Sequence, residues 1–449
     1  MSGLGERDRA RLWHPYTQMK TAPMPLPVVR AEGVWLFTED GRRILDGISS
    51  WWVNLHGHGH PRIAAAVARQ ALELDHVQFA GCTHRPAVEL AERLCALLPA
   101  ALTRVFYSDD GSTAVEVALK MAWQYWRNCG APERSTFVAF DHAYHGDTVG
   151  AMSASADGAF TAPFDGMRFR VERVHDPYCF RCPVGRKRES CAIECLGSLE
   201  SALDRLGRSV AAVILEPMLQ GAGGMIVWPK EFLAGARRAC DRVGTLLIAD
   251  EVLTGFGRTG TMFACEHAGV TPDLICLSKG LTGGFLPLAA TACTEAIYEA
   301  FLSDERARAF FHGHSYTANP IACAAALASL EVFRREPVLE RVRALEAHLR
   351  AGLEPLRSLP HVGDVRVLGG VGAVELLTPG AGGYLDRTGP ALAAEFLRRG
   401  LLLRPLGNVV YFMPPYAITL AEADWALGEI RDVLARATPE SASPAAITS

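Results

Sequence analysis

The pattern of apolar and polar residues predicts alternating helices and strands from about residue 60 onward. Helical spacing of apolar residues predicts helices over 61–75, 86–98, 112–126, 230–243 and 321–333. Short apolar runs predict strands over 104–108, 136–140, 210–215, 245–249 and 273–277. The last two runs are apolar at nearly every position, which is typical of strands covered on both faces. This alternation predicts an α/β fold with a mostly parallel, doubly wound sheet.

The pattern changes on either side of this region and predicts a division of the chain. Residues 1–60 are rich in Pro and aromatic residues and include a predicted hairpin, with strands over 34–38 and 43–46. We expect this segment to pack on a large domain over 61–334. Residues 335–437 read as a helix followed by short strands, which predicts a smaller α+β domain. The Pro-, Ser- and Ala-rich tail, 438–449, is predicted to be disordered.

Composition and charge narrow the class of protein. The chain has 449 residues, 49% hydrophobic and 21% charged, with a net charge of −4. These values are typical of a globular protein, and no basic stripe interleaved with aromatics indicates nucleic-acid binding. No apolar run approaches the ~18 residues of a membrane span, and residues 1–11 lack the apolar core of a signal peptide. With twelve cysteines interpreted as reduced thiols, we expect a cytoplasmic protein.

Asp250 and Lys279 are the most informative pair of polar residues. Each comes at the carboxyl end of a predicted buried strand, where open α/β sheets bind their ligands. A desolvated lysine has a depressed pKa and is a good Schiff-base nucleophile. A buried carboxylate needs a cation, and a protonated pyridine nitrogen of pyridoxal phosphate is one such cation. The two residues alone leave open a plain buried Asp–Lys salt bridge.

Two loops that follow predicted strands add a possible phosphate site and an aromatic ring. Ser112 or Thr113 can cap the helix that begins there, leaving free N–H groups that suit a phosphate, although an ordinary N-cap explains them equally well. Tyr144 lies beside the same predicted crevice and either stacks on a cofactor or fills the core. We expect His142 and His145 to form hydrogen bonds in the loop rather than to bind metal.

Eight stretches of the chain resemble the class III (ω) aminotransferases. They are WHPYTQM at 13–19, SSWW at 49–52, YHGDT at 144–148, DEVLTGFGRTG at 250–260, SKGLTGG at 278–284, HGHSYTANP at 312–320, RPLG at 404–407 and YFMPPY at 411–416. The resemblance extends in order from about residue 11 to 435. It implies a fold-type I pyridoxal-phosphate-dependent transferase, in which the N-terminal segment contributes to the small domain and to the active site.

The resemblance also implies how each residue contacts pyridoxal 5'-phosphate. Lys279 would bind the cofactor covalently and move the proton of the reaction. The implied partners of the other cofactor groups are Asp250 for the pyridine nitrogen, Tyr144 for the ring, and Gly111 and Ser112 for the phosphate. Ser315, with Thr317 as a second candidate, would reach the phosphate of a neighbouring subunit. This contact implies a homodimer with shared active sites.

Within the family, the resemblance is to members that transaminate 8-amino-7-oxononanoate to 7,8-diaminononanoate in biotin biosynthesis. The amino donor would be S-adenosylmethionine or lysine, and the sequence around 312–317 slightly favours lysine. Arg404 would bind the substrate carboxylate, and Asp147 would meet the substrate amine. The other implied substrate-binding residues are Tyr16, Trp51, Trp52, Arg258, Gly313 and Tyr411. The alternative is a broader ω-amine, diamine or 4-aminobutyrate aminotransferase.

Three further motifs suggest other chemistry. Cys179, Cys182, Cys191 and Cys195 have roughly the spacing of a four-thiolate metal site, but we interpret them as reduced thiols in a loop. The alternating histidines at 56, 58 and 60 could face one side of a strand, but we do not expect them to bind a metal. The Gly-rich stretch at 221–224 lacks the spacing of a dinucleotide loop and is predicted to be a flexible turn.

Overall fold

A seven-stranded sheet forms the centre of the protein in the computed structural model, which describes residues 3–380 and 382–437. The strands are, in spatial order, Leu102–Ser108, Ala289–Thr294, Leu274–Leu277, Leu246–Asp250, Val210–Leu215, Thr136–Phe140 and Glu172–Val174. Every neighbouring pair is parallel except the two pairs formed by Ala289–Thr294. The predicted α/β class with a mostly parallel sheet is confirmed, whereas the tail at 438–449 lies outside the described residues.

The five helices predicted between residues 61 and 333 agree with the structure to within about two residues at each end. Pro61 and Pro320 occupy first helical positions, where a missing N–H costs nothing, and the Asn319 side chain caps the second of these helices. The helices are Leu4–Arg9, Pro61–Glu73, Arg85–Leu97, Gly111–Asn128, Val149–Ala154, Leu196–Leu206, Lys230–Val243, Glu295–Glu299, Pro320–Arg335, Val338–Leu353, Thr388–Arg398 and Leu420–Arg436.

The strand Ala289–Thr294 was not predicted from the sequence. Its residues are Ala-Ala-Thr-Ala-Cys-Thr, which lack the large β-branched and aromatic side chains that favour strands. The strand exists because both of its edges pair with neighbours and its small side chains are buried. Tertiary packing here overrides local preference.

Smaller sheets join the two ends of the chain. The predicted hairpin is confirmed as Trp35–Thr38 paired with Arg43–Asp46, and Leu401–Leu402 extends this sheet in parallel beside Arg43–Asp46. The first strand of the sheet is Val28–Glu32. A separate antiparallel sheet consists of Val362–Leu368, Val371–Leu376 and Val409–Phe412. The domain boundaries at 60, 334 and 437 stay a prediction.

The apolar core follows the sheets. Two clusters cover opposite faces of the large sheet, one around Leu277 and Leu281 and the other around Ala118 and Ile248. A third cluster packs Ile48 and Trp52 together with residues of the antiparallel sheet that contains Val362–Leu368. Within the described ranges, no helix has the length and apolar character needed to cross a membrane.

Candidate active site

Asp250 and Lys279 lie together at the carboxyl edge of the large sheet. Asp250 is the last residue of its strand and is paired in register with Cys276 of the neighbouring parallel strand. Lys279 comes two residues after the end of that strand, at Leu277, and begins a short 3-10 turn, Lys279–Thr282. Both residues line a cavity of about 740 Å³. The sheet topology therefore brings together the two residues that the sequence singled out, as expected for ligand sites in open α/β sheets.

The amine of Lys279 is buried without a close carboxylate. Burial lowers the pKa of Lys279, and the charges of Asp250 and Glu216 oppose this shift only in part. The Nζ atom lies 4.7 Å from the ring centroid of Trp52. Among residues 3–380 and 382–437, no carboxylate oxygen is within ion-pair distance of Nζ. The plain Asp–Lys salt bridge left open by the sequence is therefore absent, and the amine suits attack on a carbonyl.

Asp250 is held by a buried histidine instead. Its Oδ2 lies 2.7 Å from His145 Nδ1, and its Oδ1 accepts a hydrogen bond from the Val252 N–H. Asp250 is only 4% exposed. His145 is buried as well, and its Nε2 has no protein partner among the described residues. The expectation that His145 forms hydrogen bonds is met at the centre of the site.

The helix Gly111–Asn128 points its N-terminus into the same cavity. Asp110 caps this helix by accepting from the Thr113 N–H, so neither Ser112 nor Thr113, the two residues expected from the sequence, is the N-cap; Thr113 is the third helical residue and completes the capping box. The Ser112 hydroxyl instead lies 2.7 Å from Thr148 Oγ1. The N–H groups of a first helical turn lack intrahelical acceptors and attract anions. This end of the cavity is suited to a phosphate.

Gly111 and Gly146, at the phosphate end of the cavity, have no room for a side chain. A Cβ atom on Gly111 would lie 2.4 Å from Val252 Cγ1, and one on Gly146 would lie 2.3 Å from Ser112 Oγ. With a lysine, a buried carboxylate and a helix N-terminus, the cavity has a partner for each part of pyridoxal 5'-phosphate: its aldehyde, its pyridine nitrogen and its phosphate. The described residues fit that cofactor.

Tyr144 connects the cofactor cavity to a second cavity. Its N–H donates to Glu216 Oε1 at 3.0 Å, and its hydroxyl lies 2.9 Å from the hydroxyl of Tyr16. Tyr16 also donates to Asp147. Burial, as the main cause, and the hydrogen bond to Asp147, as the second, raise the pKa of Tyr16 to about 12, so its phenol is neutral near pH 7. Burial also raises the pKa of Tyr144.

The second cavity, about 430 Å³, is aromatic with one guanidinium. Arg404 Cζ lies 4.4 Å from the ring centroid of Trp51 and 5.8 Å from that of Tyr16. Phe160 and Tyr384 complete the aromatic wall, and Lys279 also lines the cavity. Below we call this space the aromatic cavity.

The two tryptophans are presented by a left-handed turn. The φ angles of residues 49, 50, 51 and 52 are 50°, 45°, 68° and 78°. Such angles cost about 1–2 kcal/mol per non-glycine residue, so the surroundings must hold the turn. Ser49 Oγ donates to the Met413 carbonyl and Ser50 Oγ donates to Asp46. The turn therefore depends on hydrogen bonds with residues near both ends of the chain.

Two of the predicted substrate-binding residues lie behind the wall of the aromatic cavity rather than in it. Arg258 is 1% exposed and donates to the backbone carbonyls of Trp52 and Pro414. Tyr411 is also buried, and its hydroxyl accepts from Trp52 Nε1 at 2.9 Å. Neither lines the two cavities described above. Their positions favour bracing of Trp52 over direct contact with a substrate.

Gly313 and Ser315 lie on an exposed loop outside both cavities. His314 Nε2 lies 3.4 Å from Asp109, a residue at the phosphate end of the cofactor cavity. Thr317 turns its hydroxyl onto the His314 carbonyl within its own loop. In a single chain, Ser315 is therefore near the rim of the site without lining it.

The remaining motifs have local structural partners. His58 Nε2 lies 2.9 Å from Asp46, and burial lowers the pKa of His56 to about 3. The four cysteines at 179, 182, 191 and 195 are free thiols. Within the part of the chain that the structure describes, no three His, Cys, Asp or Glu side chains are arranged to hold a metal. Gly221 is buried against Leu253 in a short hairpin.

Sequence reasoning missed Phe160, Tyr384 and Glu216. Phe160 and Tyr384 lie in irregular segments with no periodic pattern, so nothing in the sequence placed them at the site. Glu216 directly follows the strand Val210–Leu215, the same position that drew attention to Asp250. Burial raises the pKa of Glu216 to about 7. Applying the strand-end rule to every predicted strand would have found it.

Comparisons with known proteins agree with this geometry. The family model for "Aminotransferase class-III" matches residues 16–434. The chain is 52% identical to the adenosylmethionine-8-amino-7-oxononanoate aminotransferase of Synechococcus elongatus, over 94% of this chain and 98% of the relative. The structure of the enzyme of that name from Methanocaldococcus jannaschii superposes with a TM-score of 0.90 at 38% identity, covering 97% and 99% of the two chains.

A second solved structure resembles this chain almost as closely. It is a PLP-bound amine transaminase from an uncultivated Pseudomonas species, with a TM-score of 0.90 at 35% identity and coverage of 95% and 99%. The family model, the relatives and the cavity with its lysine agree. This chain therefore belongs to the class III aminotransferase family and is a pyridoxal-phosphate-dependent aminotransferase of fold type I.

Proposed function

We propose that this enzyme transfers an amino group to 8-amino-7-oxononanoate and forms 7,8-diaminononanoate, a step of biotin biosynthesis. The acceptor combines a carboxylate, a methylene chain and a ketone beside an amine. The observation that carries the proposal is the aromatic cavity, which Lys279 lines together with the Arg404 guanidinium, for which the described residues supply no carboxylate partner. Relatives named for this reaction, 52% identical in one case, support the same substrate.

The cofactor residues have defined tasks in this proposal. Bound pyridoxal phosphate supplies the electron sink that stabilises negative charge at the substrate carbon. Lys279 holds the cofactor covalently, and its Nζ moves the proton at the carbon that bears the amine. Asp250, oriented by His145, keeps the pyridine nitrogen protonated. Gly111 and Ser112 bind the phosphate at the helix N-terminus.

The substrate residues act by charge and by exclusion of water. Arg404 binds the carboxylate, for which guanidinium geometry allows two parallel hydrogen bonds. Trp51, Trp52 and Tyr16 enclose the methylene chain, and Asp147 meets the substrate amine. Arg258 and Tyr411 act by bracing Trp52. The amino donor is S-adenosylmethionine or lysine.

A homodimer completes the proposed site. The exposed loop that carries Gly313 and Ser315 lies beside Asp109, and its neighbours Phe311 and Tyr316 are 66% and 61% exposed. Apolar side chains this exposed favour a partner surface. We propose that Ser315 reaches the phosphate bound by the partner subunit. Light scattering should give twice the mass of one chain. The cytoplasmic location stays a prediction from the sequence.

The deciding experiment is a single half-reaction. Adding 7,8-diaminononanoate to the purified yellow enzyme runs the acceptor half-reaction backward, so the unknown donor does not enter. We expect the visible band of the lysine-bound cofactor to convert to that of the pyridoxamine form. If 7,8-diaminononanoate has no effect while simple diamines convert the band, the enzyme is a broader ω-amine aminotransferase, as the resemblance to the amine transaminase allows.

A further inference from the structure

The guanidinium of Arg404 has one described hydrogen-bond partner, and it is not an acid. Its Nη2 donates to the hydroxyl of Tyr384 at 3.0 Å. Its other neighbours are the faces of Trp51 and Tyr16. Among residues 3–380 and 382–437, no carboxylate pairs with Arg404, whereas Arg399, which caps the end of the preceding helix, pairs with both Glu395 and Glu429. Arg404 is therefore kept free for an anion from outside.

Tyr384 is fixed by its ring as well as by its hydroxyl. Its ring centroid lies 4.5 Å from that of Phe160, at an interplanar angle of 60°. Phe160 in turn packs edge-on against Tyr16 and Tyr144. All four rings line the aromatic cavity. The hydroxyl of Tyr384 is thus placed beside Arg404 by the same packing that forms the cavity wall.

The segment after Arg404 also holds the loop that carries Tyr384. Asn408 Oδ1 accepts from the Gly383 N–H at 2.9 Å, and Asn408 Nδ2 donates to the Leu376 carbonyl at 2.7 Å. A Cβ atom on Gly407 would lie 1.7 Å from the Gly383 carbonyl oxygen, so the two segments touch through their backbones. One short stretch, 404–408, therefore positions both the guanidinium and the phenol.

We propose that the Tyr384 hydroxyl is a second donor to the substrate carboxylate, beside Arg404. A phenol can accept and donate at once, so accepting from Arg404 leaves its own proton for a carboxylate oxygen. A carboxylate has two oxygens with about four acceptor positions, enough for both residues. Tyr384 is then a specificity-determining residue that favours acids over simple amines. This inference rests on the proposed function.

The test compares the acid with its methyl ester, which lacks the negative charge of the carboxylate. The wild type and Tyr384→Phe are mixed with 7,8-diaminononanoate or with its methyl ester. The concentration dependence of the single-turnover rate gives a dissociation constant and a limiting rate. We expect the variant to bind the acid about tenfold more weakly, the effect of losing a hydrogen bond to a charged group. The limiting rate and the constant for the ester should stay as in the wild type.

Matched variants separate hydrogen bonding from packing. Leu385→Ala changes the neighbouring residue, which is 77% exposed, and should behave as the wild type with both compounds. Tyr384→Leu removes the contact with Phe160 as well as the hydroxyl, so it should weaken binding of both compounds, and that of the acid more. Unchanged acid binding by Tyr384→Phe, or equal loss for the ester, overturns the inference. A wild type that converts neither compound refutes the proposed function instead.

Discussion

The cofactor cavity and the aromatic cavity are adjacent, but they are built in different ways. The cofactor cavity takes Asp250, Lys279 and Gly111 from the ends of regular strands and the start of a long helix. The aromatic cavity takes its walls from loops and from the left-handed turn at residues 49–52. The first is a product of sheet topology. The second depends on specific side-chain contacts between segments far apart in the chain.

This difference separates the chemistry from the choice of substrate. Groups buried at strand ends are positioned by the whole fold, so they suit a proton transfer, which needs a fixed geometry. Several walls of the aromatic cavity, Tyr16 and Trp51 among them, are partly exposed and are held by a few hydrogen bonds and ring contacts. A solved structure with the same fold is that of an amine transaminase. Changes in the second region should alter selectivity and leave the chemistry in place.

Loss of the lysine should have the largest effect. Lys279→Ala removes the covalent link and the proton carrier, and we expect turnover to fall by about 10³-fold or more, since proton transfer alone contributes 10²–10⁴-fold. The visible band of the lysine-bound cofactor should be absent. Lys230→Ala, at an exposed helix start, is the control. A Lys279→Ala enzyme that still turns over would place the chemistry elsewhere.

Asp250→Asn should have the next largest effect. An amide does not stabilise a protonated pyridine nitrogen, so we expect the limiting rate to fall by about 10²-fold, as when one preorganised electrostatic group is removed. Substrate binding should change little because Asp250 does not line the aromatic cavity. Single-turnover kinetics separate the two quantities. A change confined to the dissociation constant would contradict the assigned role.

Arg404→Ala should produce the reverse pattern. We expect binding of the acid to weaken by about 2 kcal/mol, or about 30-fold, the low end for a charge pair because the residue is only half-buried. The limiting rate, and the rates with simple amines, should change much less. The measurement is the same titration with acid and ester. Equal affinity for the acid before and after substitution would mean that another residue binds the carboxylate.

The smallest effect concerns pH and stability. Burial raises the pKa of Glu251 from its ordinary value to about 7. The folded protein therefore binds this proton more tightly than the unfolded protein, and unfolding releases it between about pH 4.5 and 7. Stability from this carboxyl accordingly falls as the pH rises through that window. Denaturant unfolding at several pH values measures the free energy of unfolding, which should fall less steeply with pH for Glu251→Gln than for the wild type. Identical slopes would refute the shift.

The cofactor side was predictable from the sequence because its signals are local. Apolar runs locate the strands, and a polar residue that ends such a run is at the ligand-binding edge. The strand Ala289–Thr294 and the wall residues Phe160 and Tyr384 were missed because packing, and not local preference, determines them. The resemblance named Arg258 and Tyr411 as substrate contacts; both hydrogen-bond with Trp52 in the structure, and their contact with a substrate stays a prediction.

The left-handed turn has a consequence for how the enzyme fails on heating. Four successive residues at positive φ store strain, which is offset by backbone hydrogen bonds within the turn and by the bonds of Ser49 and Ser50 to the Met413 carbonyl and Asp46. Segments of this kind open before the rest of the structure. Warming should therefore abolish discrimination between acid and ester several degrees before the yellow colour is lost. Simultaneous loss of both would show that the turn melts only with the whole protein.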